Sequence, residues 1–434
     1  MGRRHKQNNM IDALSDLALI WAAVFVAVVA ARKTRLTPVL FFLFMGCVLV
    51  NFGILPHDPH PFIRGFSELG IIIIMFALGY EEKVSNFLLG IRRSWGIATF
   101  GAIAPFSAAY VITYHFWQDA DLALMCGLAM TATAVSLTMV SLKSEGLAAS
   151  PVATRIMTSA VLDDIASLAL VAIVVPVVTG EQAPGLLTIG VILAKAIGFF
   201  VLVTFVGAFV LPHNPGGIVG RLPIIRHVAA RQLLSFGNGE YTTLTVLSMA
   251  LVLGLVAHAF GFHPAVGAYM AGLILKEEYF QQDVNRNSYY ETKRIVDNAA
   301  FAWIGPVFFV QLGGHLVFDW DIFVSVIPQS LALVMGLFFA QVTSASLAAR
   351  FTGGMGWADS VMIGFGMLGR AELAFVVIDI AYVQHSIINT EAFYTLMITA
   401  FWLNVLVPLT INWWRPRCQV SQTPAPLAGE SGPS

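Results

Sequence analysis

Thirteen apolar runs, separated by short polar stretches, divide the chain. They cover residues 10–31, 36–53, 67–80, 94–116, 121–143, 152–178, 185–211, 241–260, 264–276, 296–317, 321–350, 357–384 and 391–414. A helix needs about 20 apolar residues to cross a hydrocarbon layer of ~30 Å, so the third and ninth runs are too short to span untilted. The stretch 212–239 is the longest between runs; with Pro, Gly and three Arg, it reads as a surface linker between two halves. From Cys418 to Ser434 the chain is rich in Pro, Ser and Gly, a composition that predicts a disordered tail.

Polar residues inside these runs carry the information. Asp163 and Asp164 interrupt TSAVLDDIASLALVAIVVPVV in the sixth run. Asp163 lies about 12 residues in, ~18 Å deep at ~1.5 Å rise per residue, near the midplane. A charge there costs on the order of 2.5–3.5 kcal/mol, so it is expected to face a water-filled cavity on an ion or proton path. Two adjacent acids repel each other, so they make poor glue between helices. In the fifth run Thr131, Thr133, Ser136 and Thr138 crowd into TATAVSLT, and Gly364, Gly366 and Gly369 recur in IGFGMLGRAEL of the twelfth. Hydroxyls can satisfy backbone groups freed by a broken helix, and broken helices at matching places in inverted halves form transporter sites. Close helix packing is the other reading of the glycines.

Composition agrees with an all-α polytopic membrane protein. The chain of 434 residues is 57% hydrophobic and 11% charged, with a mean hydropathy of +0.78; soluble domains carry about 25% charged residues. A net charge of -1 offers no basic domain for nucleic acid. Cys47, Cys126 and Cys418 lack the spacing of a disulfide framework or a metal site. If the N-terminus lies outside, eighteen of the 24 Lys and Arg fall on the inner side and four outside, with Lys195 and Arg370 in the membrane. That asymmetry supports an odd helix count with N-out and C-in. It also sets runs 4–6 and 11–13 antiparallel, as inverted repeats with two broken helices crossing.

SELGIIIIMFALGYE, TATAVSLT, TSAVLDDIASL, GFHPAVGAYMAGLIL, GPVFFVQLGGHLVFD and GMLGRAELAFVV occur in that order across nearly the whole membrane region. Together they resemble the bacterial sodium/proton antiporters of the monovalent cation:proton antiporter-2 family. The resemblance implies the sodium/proton antiporter fold within residues 1–417. A mobile core of about 67–178 and 296–414 would move against dimerisation helices at about 10–53 and 185–276, in a homodimer in the inner membrane. It implies exchange of Na+ for H+ at Asp164, supported by Asp163, with a role in pH homeostasis and no cofactor. Electrogenic relatives pair the first Asp with a Lys where alignment here puts Gln341, so exchange is expected to be closer to electroneutral. Ala134 stands where related sequences often have Ser, so one hydroxyl ligand is missing.

Further candidates follow from spacing and depth. Ser159 precedes Asp163 by four residues and Ser167 follows Asp164 by three, each placed to add an oxygen or simply to pack. With Thr131 and Thr133 they complete the candidate ion site. Arg370 and Glu372 are read as an ion pair holding the broken helix in preference to direct transport, with Glu68 as a further partner for Arg370. Lys195 reads as a snorkelling or interface lysine, the alternative being a substitute for the missing Lys. Asp379 is expected near a helix end and solvated, and His57 and His60 in a loop. No pattern ties His258, His263 or His315 to pH sensing. Potassium/proton exchange is the nearest rival function, followed by a channel or organic-anion transporter on the same fold. An intramembrane enzyme is disfavoured, because the glycine motif lacks an Asp and no HExxH occurs.

Overall fold

The computed structural model describes residues 2–34, 36–81, 84–145, 147, 150–180, 186–207, 234, 241–275, 277–280, 282–283, 286–370 and 372–418. All thirteen apolar runs carry helix. The first four are α1 (Gly2–Thr34), α2 (Pro38–Asn51), α3 (Pro61–Glu81) and α4 (Val84–Trp117). The fifth is split into α5 (Ala120–Ala129) and α6 (Val135–Ser144), followed by α7 (Pro151–Thr179) and α8 (Leu186–Phe205). The expected linker at 212–239 and the tail beyond Cys418 lie outside the described residues, apart from Leu234. The second half comprises α9 (Thr242–Ala259), α10 (Pro264–Ile274), α11 (Ser288–Asn298), α12 (Gly305–Gly314), α13 (Trp320–Ser325) and α14 (Ile327–Phe351). It closes with α15 (Trp357–Gly366), α16 (Glu372–Asp379) and α17 (Thr390–Trp414). A two-residue antiparallel ladder, Gln282–Asp283 with Arg286–Asn287, is the one departure from helix among the described residues.

Among the boundaries that differ from the hydropathy reading, three have a plain physical reason. The third run was too short to span, yet α3 has 21 residues because Pro61 starts it six residues earlier. Proline suits the first helical turn, where its missing N–H is no loss. The tenth run begins at Ser288 and not at 296, since α11 is amphipathic. Tyr289, Thr292 and Val296 bury one face, while Glu291 and Arg294 are exposed. A hydropathy window averages such a pattern away. α11 then passes through a π-helical turn, Ala299–Trp303, into α12. The eleventh run divides at Val326, where Pro328 opens α14.

Eight described helices are long and apolar enough to cross a membrane, and α2, α5 and α10 are shorter apolar helices. Packing sorts them into two groups. In one, α4 lies along α14, α7 and α5, while α17 packs on α14 and α6. In the other, α3 lies against α10 and α12, α9 against α10, and α2 against α12. Glycine permits the closest of these approaches: a Cβ on Gly79 or Gly272 would strike the backbone across the α3–α10 seam, and one on Gly46 or Gly313 the backbone across α2–α12. Small residues bring helices together in this way where the hydrophobic effect gives no drive between them.

Candidate functional site

The fifth and twelfth runs break where the sequence suggested, and the two breaks meet. α5 closes with Met130 N–H to Cys126 O, and residues 132–134 leave the helical ladder before α6 begins. The Ala134 N–H donates to Gly369 O of the other break at 2.9 Å. The Thr138 hydroxyl donates to Gly366 O at 2.6 Å, taking a carbonyl that the end of α15 leaves unpaired. A Cβ on Gly369 would sit 2.9 Å from the Ala134 Cβ, so the small Ala at this position accommodates the crossing. The glycines therefore serve close packing and the break together: Gly364 faces α14, and Gly366 faces Ile156 and Thr138.

α7 presents Asp163 to this crossing. Asp163 is fully buried, and Thr133 in the fifth-run break donates to its Oδ2 at 2.6 Å. Its other oxygen, Oδ1, has no hydrogen-bond partner, and neither do the buried hydroxyls of Ser159 and Ser167. At spacings of four, Ser159, Asp163 and Ser167 line one face of α7, so three oxygens with free lone pairs stack along it. Spacing alone had linked Ser167 to Asp164. Asp164 lies about 100° round the helix and is half-buried. Thr131 turns its hydroxyl back to Gly127 O at 2.8 Å, which occupies its donor within α5.

Arg370 fills the break in the twelfth run. Its guanidinium, 1% exposed, donates to Gln341 Oε1 at 3.1 Å and to the carbonyls of Met367 and Gly369 at 3.2 and 3.0 Å. A cation at the carbonyl end of α15 also complements the helix dipole. Gln341 in turn donates to Gly101 O on α4 at 3.1 Å. The Arg370 charge acts electrostatically on Asp163. Asn404 on α17, which the sequence reading did not single out, clasps the Arg370 backbone: it accepts from the N–H at 3.1 Å and donates to the C=O at 2.7 Å. A lone Asn in an apolar helix was the available signal.

The remaining candidates are spread more widely. Arg370 holds the break through Gln341 and backbone carbonyls. Glu372, expected as its ion-pair partner, lines a cavity of about 310 Å³ with Asp297, Leu78 and Phe309. Glu68 does not reach Arg370. It is exposed and lines a cavity of about 460 Å³ at the other end of α3, with His258, His263, Gln384 and His385. The two cavities lie towards opposite ends of α16. Asp379 ends α16 as expected, yet it is buried and not solvated. Lys195 is exposed on α8, away from the acids. Among the described residues no cluster of three or more His, Cys, Asp or Glu is placed to hold a metal ion.

Comparison with known proteins completes the picture. Residues 20–414 match the family model described as sodium/hydrogen exchanger, transmembrane. The chain is 25% identical over 318 residues to the probable Na(+)/H(+) antiporter GerT of Bacillus cereus, covering 73% of this chain and 76% of that one. It is 22% identical over 408 residues to an Na(+)/H(+) antiporter of Enterococcus hirae, covering 93% and 98%. The structure superposes on the sodium proton antiporter MjNhaP1 of Methanocaldococcus jannaschii with a TM-score of 0.67 at 14% identity, over 93% of this chain and 96% of that one. The fold of crossed broken helices is therefore shared with a solved antiporter, and the match over 20–414 spans nearly every helix described above. The chain is a multi-pass membrane protein of the transmembrane sodium/hydrogen exchanger family.

Proposed function

We propose that this protein exchanges Na+ for H+ by alternating access at the helix crossing. The observation that carries the reading is the unpartnered Oδ1 of buried Asp163, stacked between two unpartnered serine hydroxyls and fastened to the fifth-run break by Thr133. A hard cation seeks such oxygens, and a proton on the carboxyl removes the charge that attracts the cation. One site thus serves the two ions in turn. Asp164, half-buried one residue on, is the more accessible carboxylate and meets the ion first, and Asp163 completes the binding. Thr131 holds the end of α5 through its donor, and its lone pairs remain available as a further ligand.

Arg370 sharpens the case for electroneutral exchange. Where a Lys would release and regain a proton during the cycle, Gln341 has none to give, and a guanidinium stays charged throughout. Arg370 supplies fixed positive charge near Asp163 without joining the proton traffic.

In this scheme α4–α7 and α14–α17 move against α1–α3 and α9–α12. The sequence-based division put residues 67–80 and 296–317 in the core; the packing of α3 on α10 and of α12 on α2 favours the opposite group. The cavity at Glu68 opens outside and that at Glu372 inside, in agreement with the Lys and Arg distribution. The scaffold also forms the homodimer contact, with α1 contributing, in the cell's inner membrane.

Reconstituted protein carrying a pH gradient tests the function. Added Na+ should collapse the gradient in wild type, and Asp163→Asn and Asp164→Asn should each abolish the response. A gradient that collapses with K+ and ignores Na+ would move the assignment to potassium/proton exchange. No response to either ion would contradict the proposal.

A further inference from the structure

Behind the outer cavity, joined to it through Gln384, lies a buried carboxyl whose hydrogen-bonding chain crosses between the two helix groups. Asp379, at the end of α16, is buried and receives a bond from Gln384 at 2.8 Å between its Oδ2 and the amide nitrogen as placed. The same amide atom lies 3.3 Å from His263 Nε2. His263 is the N-cap of α10, and its Nδ1 accepts the Ala265 N–H at 3.2 Å. Gln384 belongs to the π-helical turn Ile380–Gln384. The chain therefore runs from α16 to the α9–α10 turn, across the seam that the proposed function sets in motion.

Proton bookkeeping decides when this chain can form. A neutral imidazole has one N–H, so accepting at Nδ1 places the proton on Nε2, which must then face an acceptor. The amide oxygen and nitrogen of a glutamine exchange places by a simple flip. With the oxygen of Gln384 turned inward, it accepts from His263 Nε2–H, and Asp379 must carry a proton to donate to that oxygen. All three bonds are then made. When Asp379 is ionised, Gln384 must present its NH2, which faces the Nε2–H donor to donor. A cationic His263 has no acceptor for Ala265 N–H, so it offers no escape. The cap satisfies a backbone donor, so the 3.3 Å link is the bond that gives way.

We propose that Asp379 is a second proton-binding site of this protein, and that its proton fastens α16 to the α9–α10 turn through Gln384 and His263, limiting how far the outer cavity can open. The charged and titratable groups around it are Glu68 on α3, whose field reaches Asp379, His258 on α9 and His385 beyond the π turn. α5, packed on α16, carries the exposed Asp119 and Asp121 at its start, and the residues that α7 contributes to the cavity, Val175, Pro176 and Thr179, are uncharged. Asp379 and Gln384 sit on one side of the seam and His263 on the other. The link thus restrains the outer side from opening wider at low pH.

The inference rests on the alternating-access reading for its consequence, while its test needs no transport. With Cys47, Cys126 and Cys418 replaced by alanine, Val175→Cys reports access to the cavity. Phe52→Cys, at a site 77% exposed on the same end of the bundle, corrects for the thiol's own pH response. The labelling ratio with a hydrophilic maleimide should rise roughly 3- to 10-fold between about pH 6 and 8, the worth of one hydrogen bond. Asp379→Asn, whose amide imitates the protonated acid, should hold the ratio low at both pH values. Gln384→Leu, and His263→Asn, which keeps a cap acceptor but loses reach to Gln384, should hold it high at both. Retention of the wild-type pH response in Asp379→Asn, or one ratio common to all variants, would overturn the proposal. Absence of Na+-driven proton movement alongside the expected labelling would sink the exchange reading and leave the link standing.

Discussion

At the scale of single residues, the site depends on oxygens whose partners are left open. Thr133 spends its hydroxyl on Asp163 Oδ2, while Oδ1, Ser159 and Ser167 keep theirs free. A bond from a hydroxyl to a charged acceptor is worth about 1.5–3 kcal/mol, and Thr133 is the element that orients the carboxylate. Thr133→Val is expected to raise the apparent KM for Na+ by roughly 10-fold or more at that energy, and Thr133→Ser to restore most of the loss. Na+-concentration dependence of exchange in proteoliposomes reads this directly; equal KM in both variants would remove Thr133 from the site. The acids and the threonine run were legible in the sequence because charge and hydroxyls are costly at membrane depth. The partners of Arg370 were not: Gln341 and Asn404 lie 29 and 34 residues away, and no local pattern encodes such contacts.

At the scale of elements, each broken helix has freed backbone groups taken up by partners at the crossing. Thr138 takes Gly366 O, Ala134 pairs with Gly369 O, Arg370 takes two carbonyls, and Asn404 clasps the Arg370 peptide on both sides. Lipid offers no substitute partner, so loss of the clasp leaves a buried N–H and C=O stranded, at about 1–3 kcal/mol each. Asn404→Leu is therefore expected to lower the thermal midpoint in detergent by several degrees, without adding or removing a charge near the ions. An unchanged midpoint would show that another group takes over the clasp. The breaks could be read from hydroxyl and glycine clusters. α11 and the early start of α3 could not, since an amphipathic turn and a proline start lie below the reach of a hydropathy average.

At the scale of the whole molecule, the two cavities towards opposite ends of α16 flank the seam between α4–α7 with α14–α17 and α1–α3 with α9–α12, along which the proposed cycle would alternate access. The link across that seam leaves no local pattern to read, because Gln384 and His263 are 121 residues apart. A permanently charged Arg370 gives up no proton in the proposed cycle, so one-for-one exchange of Na+ for H+ would move no net charge. One net charge crossing 100 mV would carry about 2.3 kcal/mol, enough to change a rate roughly 50-fold. Exchange measured with and without an imposed potential of that size is expected to differ by less than about twofold. A large response would show that net charge crosses the membrane in each cycle and would reopen the assignment of Arg370.

The central claim is that Na+ and H+ compete for one buried carboxylate site. It is tested most directly by the apparent KM for Na+ at a series of pH values on the side where Na+ is added. Competition predicts that KM climbs by about tenfold for each unit of falling pH on the acid limb, while the maximal rate stays constant. A KM that ignores pH while the maximal rate falls would place the proton at a separate site and contradict the account.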